Sequence, residues 1–158
     1  MNLDEHAMNL GRILGNLQSL ESMLRMTIGT IDKSRRSAND FSALKVGDRV
    51  PADAVTNYDS LGPTIRFYNR LVPAEDRLDV GALVTLRDIL AHGRIINVQP
   101  TLPLRLVKFG KEENGTVRVE AIVEMTQSWF AEQRQFVYRC VETVAAVNRR
   151  GSEKKATE

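Results

Sequence analysis

The stretch Leu86-Arg87-Asp88-Ile89-Leu90-Ala91-His92-Gly93-Arg94 sets an arginine, a carboxylate and a histidine at the end of an apolar run with helical spacing. Gly93 tolerates a left-handed conformation and is expected as the C′ residue that stops the helix. His92 is then the last helical residue or its cap. Imidazole titrates near roughly 6.5, so His92 can carry a proton at neutral pH. The other histidine, His6, falls in an N-terminal segment expected to fray. On an ideal helix, side chains five residues apart point about 140° from one another. Arg87 and His92 therefore do not share a face, and a helix ending at Gly93 is what frees His92 to turn toward a groove. A C-terminal histidine that complements the helix dipole accounts for His92 alone. It does not account for an Arg-Asp pair one turn earlier on an otherwise apolar helix.

Upstream, this helix is expected to start near Glu75 to Asp79, with Leu78, Ala82, Leu83, Leu86, Ile89 and Leu90 as its apolar face. Pro73 ends a shorter helix over residues 61–72, in which Pro63 is tolerable only in the first turn. Residues 32–60 read as a connector, polar and basic at Lys33-Ser34-Arg35-Arg36-Ser37. A connector this long is often functional. Arg35 and Arg36 can track a phosphate backbone there, or belong to a solvated loop. The first helix covers about residues 3–31, with Leu10, Ile13, Leu14, Leu17, Leu20, Leu24, Ile28 and Ile31 as one stripe. Glu21 interrupts that stripe. It is either a rim carboxylate paired with Arg25 one turn on, or a supporting carboxylate aimed at the site arginine.

Downstream, residues 95–106 contain Pro100 and Pro103 and are expected to run extended. A hairpin is expected over residues 104–124. Its turn is Asn114-Gly115; Val117, Val119, Ala121 and Val123 alternate toward one side, and Val117, Val119 and Ala121 are expected to face apolar neighbours. The last helix starts after Thr126 as N-cap. Trp129, Phe130, Gln133, Phe136, Val137, Cys140, Val141, Val144 and Val147 form its stripe, and it closes near Arg149-Arg150. Residues 151–158 are expected as a short disordered polar tail. The expected organisation is one mainly α domain over residues 1–150, with a β-hairpin inserted before the last helix.

Bulk properties limit the function classes. The 158 residues suffice for one real core, and 42% hydrophobic with 27% charged residues is an ordinary globular balance. A net charge of +2 is no large polyanion-binding excess. Cys140 is the single cysteine, so no internal disulfide and no Cys/His zinc cluster is expected. The start is acidic, Asp4-Glu5, unlike a secretory signal, and no apolar run reaches a membrane span. A cytoplasmic protein with no membrane association, metal or cofactor is the expectation.

Arg87-Asp88-x-x-x-His92 resembles the R-x(4–6)-H motif of the HEPN superfamily, in which the residue after the arginine is usually polar. The resemblance extends to the long first helix with Leu20-Glu21-Ser22-Met23-Leu24-Arg25, to Ala91-His92-Gly93 around the histidine, and to the closing helix. It implies a compact helical bundle carrying the hairpin as a decoration. Active HEPN members are metal-independent ribonucleases that line a shared cleft with the motif of each subunit. The resemblance therefore implies a homodimer acting on RNA, with Arg87, His92 and Asp88 catalytic; beside it, Arg94, Arg35 and Arg36 are expected as RNA contacts. It also implies a toxin or phage-defence role, with a cognate antitoxin protein among the partners. One variant continues with an aromatic-x-aromatic pair after the histidine; here Gly93-Arg94-Ile95 follows.

The chemistry stands on its own terms. Attack of a ribose 2′-hydroxyl on the adjacent phosphate needs a base, an acid for the leaving 5′-oxygen, and positive charge near the phosphorane. Arg87 can hold two phosphate oxygens, His92 can move the proton, and Asp88 can orient either one. With one suitably placed histidine per chain, a two-fold dimer supplies the second set. Two other readings stay open. One is a non-catalytic dimerisation or RNA-binding scaffold, in which Arg87 and Asp88 form a partly buried ion pair and His92 caps the helix. The other is an unrelated helical bundle with an accidental motif.

Overall fold

The computed structural model describes residues 2–96 and 103–156. They form four helices and a small antiparallel sheet: α1 Leu3–Ile31, α2 Leu61–Leu71, α3 Val80–His92, β1 Arg94–Ile95, β2 Arg105–Glu113, β3 Thr116–Glu124 and α4 Gln127–Ala156. Short 3₁₀ turns occupy Lys33–Arg35 and Ala74–Asp76. No helix is long and apolar enough to cross a membrane among these residues. The expectation of a mainly α chain with strands before the last helix agrees with this order.

The chain divides into two compact units. Unit 1 comprises Met1–Leu17 and Gly81–Tyr138, and unit 2 comprises Gln18–Val80 and Arg139–Glu158. In unit 1, α1 starts with a reciprocal capping box. Asn2 Oδ1 accepts from the Glu5 amide at 2.8 Å, and Glu5 Oε2 accepts from the Asn2 amide at 2.9 Å. The cap holds the first turn in place, and His6 is buried rather than frayed. Its ring meets Phe130 edge-on with centroids 5.0 Å apart. Among the described residues neither ring nitrogen has a hydrogen-bond partner, and burial holds the imidazole below its ordinary pKa. Arg134 donates to Asn9 at 3.0 Å, a second link between α1 and α4. Thr126 caps α4 as expected, accepting from the Trp129 amide at 3.1 Å.

The sheet departs from the expected hairpin in two ways. Arg94 and Ile95 pair with Val107 and Leu106, so three strands form, in the order β1-β2-β3. Pro100 lies outside the described residues. The turn is as read from Asn114-Gly115, with φ of 53° and 75°, the left-handed pair that a two-residue hairpin requires. The expected apolar cover over Val117 and Val119 is absent: both are about half exposed, as is Ile122. Burial along the ribbon is concentrated at Leu106 and Val107, and residues 111–120 are all exposed. Alternation had placed the valines on one face without saying whether anything covers it. Register slips between Lys108 and Glu112 add a bulge there.

In unit 2, Leu20, Leu24 and Ile28 of α1, Leu61, Ile65 and Tyr68 of α2, and Val144 and Val147 of α4 are buried. The expected disordered tail is helical as far as it is described, and α4 continues to Ala156. Gly151 does not stop it, and a Cβ there would stand 3.2 Å from Thr30 Cγ2. Residues 157–158 lie outside the described residues.

The connector is ordered by side chains rather than by regular structure. Arg25, 9% exposed, donates to the carbonyls of Ala54, Asn57 and Asp59 and to Asn57 Oδ1. Asp53 accepts from the Val55 and Thr56 amides at 2.7 and 2.9 Å. Its burial opposes ionisation, but these bonds and the one from Ser37 prevail and hold the carboxyl below its usual range. Tyr68 donates to the Asp76 carbonyl, and its phenol is pushed up to about 12 by burial and by the Asp76 carboxylate, against the opposing effect of Arg150.

Candidate active site

Apolar spacing decides which face of α3 carries the motif. Leu83, Leu86 and Ile89 are buried, so Arg87 and Asp88 are turned away from that face. Arg87 Nη1 donates to Asp88 Oδ1 at 2.9 Å, with side-chain exposures of 46% and 32%. A pair this accessible contributes about 0–1 kcal/mol to stability. Its free guanidinium donors are available to a phosphate.

His92 is exposed at the last position of α3. It stands one turn after Asp88 on the same side of the helix. Among the described residues no hydrogen bond joins His92 to Arg87 or Asp88. The helix stays regular through His92, so Arg87 and His92 keep the roughly 140° divergence of five helical residues. The expected left-handed stop at Gly93 is not used. Its amide still bonds to the Ile89 carbonyl at 2.9 Å, and no positive φ occurs there. Glycine is needed at this position for space. A Cβ would meet the Ile89 carbonyl oxygen at 2.4 Å and Leu106 Cγ at 2.7 Å. That contact sets the end of α3 directly against β2. Arg94 then lies on the sheet, its guanidinium 5.7 Å from the Phe109 ring centroid.

The other expected site residues belong to unit 2. Glu21 is a rim carboxylate, with Oε1 2.8 Å from Arg25 Nη2. Arg35 is exposed and held over the Phe67 ring at 4.1 Å, with Asp32 Oδ2 4.0 Å from its Nε. Arg36 is exposed beside Ser37 and Phe41 on the wall of a small cleft. An open recess of about 620 Å³ in unit 2 is lined by Ile31, Leu71, Val72, Val147 and the Asp76–Arg150 ion pair. No residue of the motif lines it. The motif lies on an open surface rather than in an enclosed cavity.

Three side chains escaped the sequence reading. Arg25 was visible there only as a partner for Glu21. His6 precedes Leu10 by four and Ile13 by seven residues, a helical spacing that places it on the buried stripe. Arg70, whose guanidinium stands 5.0 Å from the centroid of the same Phe67 ring as Arg35, carried no signal beyond its charge. Among the described residues no group of three or more His, Cys, Asp or Glu is placed to hold a metal ion. No family model, curated protein or solved structure matches the chain.

Proposed function

We propose that this chain is a metal-independent endoribonuclease of the HEPN type that works as a homodimer. The observation that carries the reading is the exposed Arg87–Asp88 pair on α3 with an exposed His92 one turn beyond it, unpartnered among the described residues. Arg87 holds the phosphate oxygens and stabilises the charge of the phosphorane. Asp88 fixes the guanidinium. His92 takes the proton of the 2′-hydroxyl, and the His92 of a second copy gives a proton to the departing 5′-oxygen. The P–O5′ bond breaks as the P–O2′ bond forms, leaving a 2′,3′-cyclic phosphate and a 5′-hydroxyl. The divergence of Arg87 and His92 within one chain is the reason for the second copy: two-fold symmetry sets each arginine opposite the other chain's histidine. A toxin or phage-defence effector in the cytoplasm, restrained by an antitoxin protein, is the cellular role this chemistry suits.

A non-catalytic scaffold is the second reading. The half-exposed Val117, Val119 and Ile122 favour it, being apolar area available to a partner chain. The deciding experiment is cleavage of RNA in chelator by the parent, Arg87→Ala and His92→Ala chains, all shown to be folded. The nuclease reading expects cleavage by the parent alone, cyclic-phosphate ends, and resistance of a substrate bearing 2′-O-methyl at the cut site. A folded parent that cuts no RNA leaves the scaffold. Equal cleavage of the methylated substrate rules out the 2′-hydroxyl mechanism.

A further inference from the structure

We infer that Arg35 and Arg70, held over the Phe67 ring in unit 2, and Arg66, one turn before Arg70 on α2, bind single-stranded RNA. Two guanidinium groups are held over one ring, Arg35 at 4.1 Å and Arg70 at 5.0 Å from its centroid. Arg66 and Arg70 are one turn apart and both exposed on α2, whose opposite side buries Leu61, Ile65 and Tyr68. Like charges at this helical spacing repel. Among the described residues neither Arg66 nor Arg70 has a carboxylate within ion-pair distance. The nearest carboxylate to Arg35, that of Asp32, stands at 4.0 Å and already accepts from the Ser34 amide and hydroxyl. The charge is therefore concentrated rather than compensated, and a polyanion is the ligand that relieves it.

The geometry also favours bases over a bare phosphate backbone. A guanidinium held over an aromatic ring keeps its outer face open, and bases stack on such faces in single strands. A duplex keeps its bases stacked on one another. Arg35 is held in advance of binding: its carbonyl accepts from the Ala54 amide at 3.1 Å, inside the loop that Arg25 anchors.

The inference takes RNA as the ligand from the proposed function, but its test is binding and is read apart from cleavage. The full chain carrying His92→Ala is titrated into a labelled dodecameric oligouridylate, followed by anisotropy over a range of salt. Arg35→Ala, Arg70→Ala and Arg66→Glu, added singly, are each expected to weaken binding about three- to ten-fold. The slope of log K against log salt should flatten by about 0.7 for each lost phosphate contact. Phe67→Leu should weaken binding with every charge retained, and Arg70→Lys should recover the salt slope but not the full affinity. Unchanged affinity and slope in the folded variants would overturn the inference, as would duplex RNA of the same length binding as tightly. Arg66→Glu touches no ring and no partner, so loss of fold in the others does not blunt the test. Unaltered binding in these variants, with normal cleavage by the parent that keeps His92, sinks this inference alone. Intact binding with no cleavage by the parent sinks the nuclease alone.

Discussion

Replacing Arg25 with methionine keeps most of the aliphatic stem and removes every donor that ties the connector to α1. The Glu21 pair is the lesser loss. Its carboxylate is 36% exposed, and pairs that open to water contribute about 0–1 kcal/mol. The greater loss is at the loop, where the Ala54, Asn57 and Asp59 carbonyls and the Asn57 amide oxygen would lose a charged donor. Ala54 is 2% exposed, so its carbonyl has little access to water in exchange. A hydrogen bond to a charged donor is worth about 1.5–3 kcal/mol, so losing several of them together costs about 3–5 kcal/mol. At about 2–4 °C per kcal/mol for a chain of this size, Tm should fall by about 6–20 °C. Circular dichroism gives the midpoint and amide exchange gives the location. The amides of Val55, Thr56 and Asn57 now bond to Asp53, and they should lose protection first. A shift below about 2 °C, on the same scale, with these amides still protected would refute the reasoning. The same substitution should weaken RNA binding, because Arg35 would lose its anchored loop.

Other outcomes follow from single contacts. Gly93→Ala should destabilise the chain by about 1–3 kcal/mol in urea titration, the usual range for overpacking, because its Cβ meets the Ile89 carbonyl; an unchanged midpoint would contradict that packing. His6 titrates lower in the folded chain than its ordinary 6.5, so the unfolded chain takes up the proton first as pH falls. Its contribution to stability should be complete above the ordinary value and be lost as pH drops below it; in His6→Leu this part of the pH dependence should vanish. Gly115→Val places a β-branched residue at a φ of 75° and should loosen the turn, read as faster amide exchange across β2 and β3. Light scattering at micromolar concentration should give a dimer for the parent chain, and a monomer would remove the shared-cleft mechanism.

Much of the fold is legible in local pattern. The bounds of α1 follow from helical spacing over residues 10–31, the hairpin turn from Asn114-Gly115, and the start of α4 from Thr126. Each depends on residues a few positions apart, and local geometry is enough to decide them. The motif residues are legible in the same way: Arg87, Asp88 and His92 are where the spacing put them, at the exposed end of α3.

Burial and partnership depend on segments distant in the chain, and only the tertiary structure decided them. Alternation marked Val117 and Val119 as a face, yet nothing in the pattern told whether that face is covered. Gly93 looked like a left-handed stop and is instead a glycine because Leu106 packs against it. Residues 151–158 read as a disordered tail, and α4 continues into them as far as Ala156. Glu21 had two candidate partners in the sequence and has Arg25 in the fold. Arg35 and Arg70 are far apart in sequence and share one ring in the fold. Spacing along one helix is short-range geometry. Which side chains meet across the chain depends on where burial repays the loss of chain entropy, and that balance is struck only in the folded molecule.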